Sequence, residues 1–307
     1  MFLTKPTKCV RMLKGERGRL RIMKLIENQN FPNERDLYGA EDAVIRNCRF
    51  DGIEDGESAL KEAKRIRLEN CFMNLRYPLW HVDTAVLDGV TMTDKCRAAL
   101  WYSNDIEISN SDLLGIKALR ECSGANIVDS KIVSPEFGWK CNGVSIKGSG
   151  IESEYLFLMS KNIELDRVNF KGKYSFQYVE NMRISDSMLD TKDAFWHTKN
   201  VIVERSTVKG EYLGWYSENL TLIDCTIIGT QPLCYCKNLK LIDCKMQGTD
   251  LSFEYSDVEA TVRGEIMSVK NPRAGKIVAD AIGEIIITAD SKYPCDCDII
   301  EKSRISG

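Results

Sequence analysis

Lys199-Asn200-Val201-Ile202-Val203-Glu204-Arg205-Ser206-Thr207-Val208 is answered nineteen residues later by Glu218-Asn219-Leu220-Thr221-Leu222-Ile223-Asp224-Cys225-Thr226-Ile227. Nineteen residues further on comes Lys237-Asn238-Leu239-Lys240-Leu241-Ile242-Asp243-Cys244-Lys245-Met246. The step runs well beyond these three copies: Asn110, Asp129, Gly148, Arg167, Asp186, Arg205, Asp224, Asp243 and Val262 form one series of constant spacing 19. A fixed period of this length is the signature of a repeat architecture. Within each copy apolar and polar residues alternate, as in Val201-x-Val203 and Ser206-x-Val208, so the pieces read as strands with one buried face. Nineteen residues are too few for a strand with a crossover helix, which takes about 30. They suffice for three short strands and three bends. A chain that turns once per repeat stacks each turn on the last as parallel strands about 4.8 Å apart. The predicted fold is all-β: a single-stranded right-handed parallel β-helix, a solenoid of about 13 rungs of mostly 19 residues.

The columns created by this stacking support it. Lys161, Glu180, Lys199, Glu218 and Lys237 alternate in sign, as do Glu152, Lys171, Asp190 and Lys209. Opposite charges on adjacent strands are favourable by a few tenths of a kcal/mol. The next column reads Asn162, Asn181, Asn200, Asn219, Asn238. Asn tolerates a left-handed bend, and stacked amides hydrogen-bond along the axis. Ile163, Met182, Val201, Leu220, Leu239 and Leu165, Ile184, Val203, Leu222, Leu241 are inward aliphatic columns. Ser187, Ser206, Cys225 and Cys244 form an inward column of small residues, and Gly172, Gly210, Gly229 and Gly248 mark a bend.

Three segments follow. Residues 1–22 hold seven basic residues and one acid, show no repeat, and read as a disordered extension. Residues 23–290 are the β-helix domain, and 291–307 a C-terminal tail. Spacing loosens near the start, so Asp51–Ser58 reads as a surface loop. Of 42 basic and 45 acidic residues, 35 and 44 remain outside the extension, a formal −9. That acidic body argues against a nucleic-acid partner. No apolar signal region and no 18-residue apolar run is present, so neither export nor a membrane partner is expected. Of the twelve Cys, Cys48, Cys71, Cys225 and Cys244 lie in one small inward column and Cys122, Cys141 and Cys236 in another. They read as reduced thiols of a cytoplasmic protein.

No cofactor fingerprint is present. No metal site is expected either: His81 and His197, the two histidines, lie six rungs apart, about 29 Å. The pairs Cys234-x-Cys236 and Cys295-x-Cys297 are a weak metal signal.

All five Trp share one column: Trp80, Trp101, Trp139, Trp196 and Trp215. Lys61, Arg120, Cys234 and Phe253 take that place in other rungs. The next column holds Glu62, His81, Tyr102, Glu121, Lys140, Tyr178, His197, Tyr216 and Tyr235. Two arrangements fit. In one, Trp fills the core and the Tyr/His/Glu column meets water. In the other, the Trp stripe is exposed and suits stacking on sugar rings. Strand parity favours the first, because small residues two positions after Trp share its face. Glu62, His81, Glu121 and Lys140 are then candidate catalytic groups on an outward ladder. The bland account is a solvated polar face. Glu62 and Glu121 are three rungs apart, about 14 Å, too far for a glycosidase pair without help from a loop. Candidate binding residues are Glu57, Lys61, Tyr77, Trp80, Trp101, Tyr102 and Trp139.

The segments Gly56-Glu57-Ser58-Ala59-Leu60-Lys61-Glu62, Tyr77-Pro78-Leu79-Trp80, Asp193-Ala194-Phe195-Trp196, Tyr212-Leu213-Gly214-Trp215 and Phe253-Glu254-Tyr255-Ser256 resemble a bacterial family of unknown function. That family is placed among the pectin-lyase-like right-handed β-helix proteins. The resemblance covers roughly residues 23–290 and implies the fold, but no activity and no site residues. Members of the wider superfamily act on uronic-acid polymers, with Asp ligands for Ca²⁺ and an Arg or Lys base. No outward Asp cluster is found here. Three functions remain: a carbohydrate-binding β-helix with a saccharide ligand on the aromatic face, an intracellular carbohydrate-active hydrolase or isomerase, and a scaffold whose aromatic face pairs with a second copy.

Overall fold

The computed structural model describes residues 9–14, 20–52 and 56–302, with side chains from Ile22 onward. Most of the basic segment (1–8 and 15–19) and the centre of the Asp51–Ser58 loop (53–55) lie outside the described residues. The chain divides into two compact units, residues 1–138 and 139–307.

In the first unit Leu20–Glu27, Glu41–Arg46, Lys64–Glu69, Asp83–Asp88, Asn104–Ser109 and Ser123–Val128 pair in that order, all parallel. Around the corner a second parallel series runs Asn30–Phe31, Arg49–Phe50, Phe72–Met73, Thr91–Met92, Asp112–Leu113 and Lys131–Val133. In the second unit the first series runs from Asn142–Lys147 through Lys161–Asp166, Glu180–Ser185, Lys199–Glu204 and Glu218–Ile223 to Leu239–Gln247. Its corner partners run from Gly150–Glu154 to Thr226–Ile228. Towards the C-terminus the corner straightens, and the single strands Asp257–Lys270 and Ala274–Ile286 serve both series.

The fold is the right-handed parallel β-helix that the repeat predicts, with about 14 turns. The sequence count of 13 starts at Asn47, whereas Leu20–Glu27 and Asn30–Phe31 already form an earlier turn. Two strands lie in segments read as non-repeating. Cys9–Lys14 pairs antiparallel with Leu20–Glu27, and Asp296–Glu301 pairs parallel with Ala274–Ala279. An antiparallel pair is not a turn of the solenoid, so the 19-residue signature does not reveal it.

Vertical register is direct. Val201 lies against Leu220, Val203 against Leu222, and Leu222 against Leu241. The Asn amides form a single file: Asn238 Nδ2 donates to Asn219 Oδ1 at 2.7 Å, Asn219 to Asn200 at 2.8 Å, and Asn200 to Asn181 at 3.1 Å. Each is left-handed, with φ of 51–59° for these four residues. The Ser column is buried yet satisfied. Ser206 Oγ accepts from Ser187 N at 3.0 Å and donates to Glu204 O at 2.7 Å. Gly210 and Gly229 belong to the corner: a methyl there would sit about 2 Å from the carbonyl oxygens of Thr191 and Gly210.

The third side of each turn departs from expectation. Three strands per turn were expected, but apart from the two-residue parallel pair Leu100–Trp101 and Leu119–Arg120 this side is largely not extended. In the second unit alternate residues are left-handed: Tyr174, Phe176, Tyr178 in one turn and Asp193, Phe195, His197 in the next, with φ of 49–63°. A left-handed non-glycine residue costs about 1–2 kcal/mol. Here a ladder between turns offsets that cost. Tyr174 N donates to Lys192 O at 2.7 Å and Tyr178 N to Trp196 O at 2.9 Å, while Phe176 N donates the other way, to Leu156 O at 2.7 Å. Period-two alternation does not hold on such a backbone. Phe157, Phe176 and Phe195 point inward and are almost fully buried. The residue after each of them, and the one after that, both face outward.

Candidate functional site

The Trp column is therefore not core. Trp80 and Trp101 in the first unit, and Trp139, Trp196 and Trp215 in the second, are all half-buried. The parity argument that placed Trp inside fails because left-handed residues flank each Trp, such as Tyr77 and His81 around Trp80 and Ala98 and Tyr102 around Trp101, and break the alternation of an extended strand. Each indole N–H is spent on a backbone carbonyl of the following turn: Trp80 on Ala98 at 2.5 Å, Trp101 on Lys117 at 2.7 Å, Trp196 on Tyr212 at 2.6 Å.

The exposed-stripe arrangement also needs correction. Trp80 and Trp101 stack on each other at 5.4 Å and 7° between planes. Lys61 Nζ lies 5.5 Å from the Trp80 ring and Arg120 Cζ 4.9 Å from the Trp101 ring. The order is cation, indole, indole, cation. The indole faces are covered, and mainly their edges remain for a ligand. His81 and Tyr102 stack alongside at 5.1 Å.

The candidate catalytic residues are distributed as follows. Glu62 is exposed and accepts the hydroxyl of Tyr38, a bond that raises the Tyr38 pKa. His81 is exposed and follows Glu62 by one turn. Glu121 is engaged by Arg120 Nε at 3.2 Å. Lys140 and Trp139 belong to the second unit. Of the remaining binding candidates, Glu57 pairs with Arg76 at 3.3 Å, and the Arg76 guanidinium lies 5.5 Å from the Tyr77 ring. Among the described residues, no group of three His, Cys, Asp or Glu could hold a metal ion. No described helix is long and apolar enough to cross a membrane.

Three places before the Trp column lies another column: Tyr77, Ala98, Lys117 and Glu136. Its members are linked by backbone bonds from Tyr77 N to Arg97 O, Ala98 N to Ile116 O and Lys117 N to Pro135 O. Ala98 is the small member between two long ones. Ala98, itself only 5% exposed, is among the residues that line a hollow of about 400 Å³. Tyr77, Trp80 and Trp101 form its aromatic border. Ala98 and Ile116 complete the apolar floor, and Arg97 and Lys117 are its cations. Tyr77 meets Trp80 at 4.6 Å and 40°. Ile116 is 41% exposed. Lys117 Nζ is 3.2 Å from Glu136 Oε2.

The hollow thus brings together three of the seven binding candidates. Ala98, Arg97, Ile116 and Lys117 were not anticipated. Their signal was in the sequence: a small residue at a place held by Tyr77 one turn before and Lys117 one turn after.

In the second unit the same column is filled. Tyr155 and Tyr174 stack at 4.9 Å, Asp193 follows, then Tyr212. Asp193 is buried, and burial raises its carboxyl pKa. Trp196 and Trp215 stack at 5.4 Å. Beside them Tyr178, His197, Tyr216 and Tyr235 form a continuous ring ladder with steps of 4.9, 5.0 and 4.7 Å. Burial pushes the Tyr235 hydroxyl up to about 12. Phe253, read as a member of the Trp column, is fully buried. Glu254 takes that place, because its carbonyl receives Tyr235 N and the local turn is 20 residues long.

Among curated proteins none matches the chain. Solved structures that resemble it include the following three. A tailspike protein of E. coli bacteriophage HK620, in complex with a pentasaccharide, is 10% identical, with 92% of this chain and 71% of that chain covered and a TM-score of 0.45. PfbA, a surface adhesin of Streptococcus pneumoniae, is 10% identical over 75% of this chain and 72% of its own, with a TM-score of 0.43. The A-module of the mannuronan C-5 epimerase AlgE4 of Azotobacter vinelandii is 8% identical over 87% and 88%, with a TM-score of 0.29. The profile of one family, described as a protein of unknown function (DUF3737), matches residues 24–300. With most of its length so matched, the chain belongs to the DUF3737 family.

Proposed function

We propose that the protein binds carbohydrate and that the hollow over Ala98 receives one sugar ring. A sugar presents an apolar C–H face inside a rim of hydroxyls, so its sites pair aromatic surface with a few convergent polar groups. The hollow has that composition, with Tyr77 and two indole edges on one side and Arg97 and Lys117 at the rim. The observation that carries the reading is the interruption of the outer column at Ala98, which leaves a recess beside the half-exposed indoles. Catalysis has no comparable support. No carboxylate is among the described residues lining the recess.

The test is to restore the column. Ala98 has φ of 51°, and Tyr77, Tyr155, Tyr174 and Tyr212 all occupy the same column at 54–57°. Ala98→Tyr therefore fits the backbone and fills the recess with a ring. The expected outcome is an unchanged melting temperature and loss of the glycan-induced change in Trp emission that the unaltered protein shows. Equal glycan binding by Ala98→Tyr, or an unaltered protein whose emission responds to no glycan, refutes the proposal.

A further inference from the structure

We infer that the ring ladder of the second unit is an interface on which a second copy of this chain docks, with its turns in the reverse order. Tyr178, His197, Tyr216 and Tyr235 cover one another's ring faces, so ring edges are what they offer outward. Tyr178 is 48% and Tyr216 46% exposed, and Met159, one turn before Tyr178, is 50% exposed. In the first unit the same column holds two stacked rings, His81 and Tyr102, before the charged Glu121 follows. The long ring stretch thus belongs to the second unit. Aromatic side chains and Met are what the centres of protein interfaces favour. None of these residues lines the recess at Ala98, so the inference stands apart from the carbohydrate reading.

The charges beside the ladder name the occupant. Two places after each ring lies a column of alternating sign, Glu180, Lys199, Glu218 and Lys237. Turn a second copy end over end, with the two-fold axis between the turns of His197 and Tyr216, and this column meets its own reverse. Lys199 then faces Glu218 of the second copy, and Glu180 faces Lys237. On the other flank of the rings Lys192 faces Glu211 of the second copy. The rings meet rings, His197 on Tyr216 and Tyr178 on Tyr235. An axis through His197 instead sets Lys199 on Lys199 and Glu180 on Glu218. A shift by a whole turn keeps the signs but gives up the contact of Tyr178 with Tyr235. Charge complementarity of this kind fixes register more than it adds affinity. Within one copy Glu180 already meets Lys161 at 2.8 Å and Lys192 meets Glu211 at 2.9 Å. Those pairs stay, and each charge gains a second neighbour of opposite sign. A patch that is its own complement under a two-fold rotation closes into a dimer and does not propagate into a fibre. The four turns span three steps of about 4.8 Å each, a small interface. A dissociation constant on the order of 10 µM is therefore expected.

The full chain is followed by sedimentation velocity from about 5 to about 200 µM, in about 0.15 M salt. The expected result is a monomer–dimer equilibrium. Tyr216→Asp should weaken it at least about tenfold while its circular dichroism stays that of the unaltered chain. Lys199→Glu and Glu218→Lys should each weaken it as well, because each sets like charges on one another across the axis. Mixed in equal amounts, these two variants should recover the dimer, since each supplies the sign that the other lacks. An equal mixture of Lys199→Glu with Glu180→Lys carries the same net charges in the wrong register and should not recover. A protein that stays monomeric at about 200 µM overturns the inference, as does a dimer indifferent to Tyr216→Asp. Recovery in both mixtures, or in neither, overturns the reversed docking about this axis.

Discussion

The two units build the same outer face and finish it differently. In both, stacked indoles spend their N–H groups on the next turn and a row of Tyr and His runs beside them. In the second unit the outer column carries Tyr155, Tyr174, Asp193 and Tyr212, the first two stacked. In the first, Ala98 falls between Tyr77 and Lys117 and the surface opens. The lesson is that in a solenoid a site can be made by subtraction. Rings that stack on one another are a structural ladder with covered faces, and on the proposed reading the room for a ligand lies where the ladder skips a member.

The largest test probes the layer beneath the rings. Phe176 in the second unit and Leu100 in the first are both fully buried. Phe176→Ala should cost about 3–5 kcal/mol and Leu100→Ala about 2–5, read as shifts in the urea midpoint. If Phe176→Ala costs under about 1 kcal/mol, the ring layer is not the packed core described here. Next in size is an attempt to copy the recess. Tyr174→Ala removes one ring of a stacked pair and should cost about 0.5–1.5 kcal/mol beyond the area lost. By the subtraction argument it should also give the second unit a binding site, seen as a doubled stoichiometry in glycan titration of the variant.

Asp193 supplies a test of sign. Burial raises its folded-state pKa above the unfolded value. The ionised carboxylate is therefore disfavoured in the fold, and stability is lower above the folded pKa and recovers as pH falls through it. Asp193→Asn should raise the melting temperature at pH 7, with the gain shrinking as the solution is acidified. A gain that persists unchanged at low pH would mean that charge is not its cause. The smallest effect is expected of the exposed pair Lys173–Glu154, at 3.1 Å. Lys173→Ala should leave the urea midpoint almost unchanged, and shift it less still in high salt.

The β-helix was legible because stacking turns one period into many independent columns. The Asn file, the Ser and Cys column and the aliphatic stacks all follow from one number. The face that carries the site was read less well, for a physical reason. Inward and outward were assigned by strand parity, and parity holds only for extended backbone. The residues from Asp193 to His197 alternate handedness instead, so Trp196 and His197 both face out while Phe195 faces in. Nothing in the composition of that segment reports this, because Tyr, Phe and His are acceptable to a strand as well. Ala98 went unnoticed for a different reason. An alanine carries no chemistry of its own, and only its larger column neighbours, Tyr77 and Lys117, give its small size a meaning.

The amide bonds of the third side reach both ways, Phe176 back to the preceding turn and Tyr178 on to the next. Each loop of chain is thereby clamped to its predecessor and its successor through equivalent atoms. Excision of residues 199–217 would bring Glu218 under Glu180 with every clamp remade, at the loss of one alternation in the charge column. Excision of eighteen or twenty residues would need a bend or bulge to take up the difference, as the 20-residue step from Cys234 to Glu254 and the shifted register at Cys244 and Val262 do. A whole circuit of the chain is then the change in length that leaves every column in line unaided.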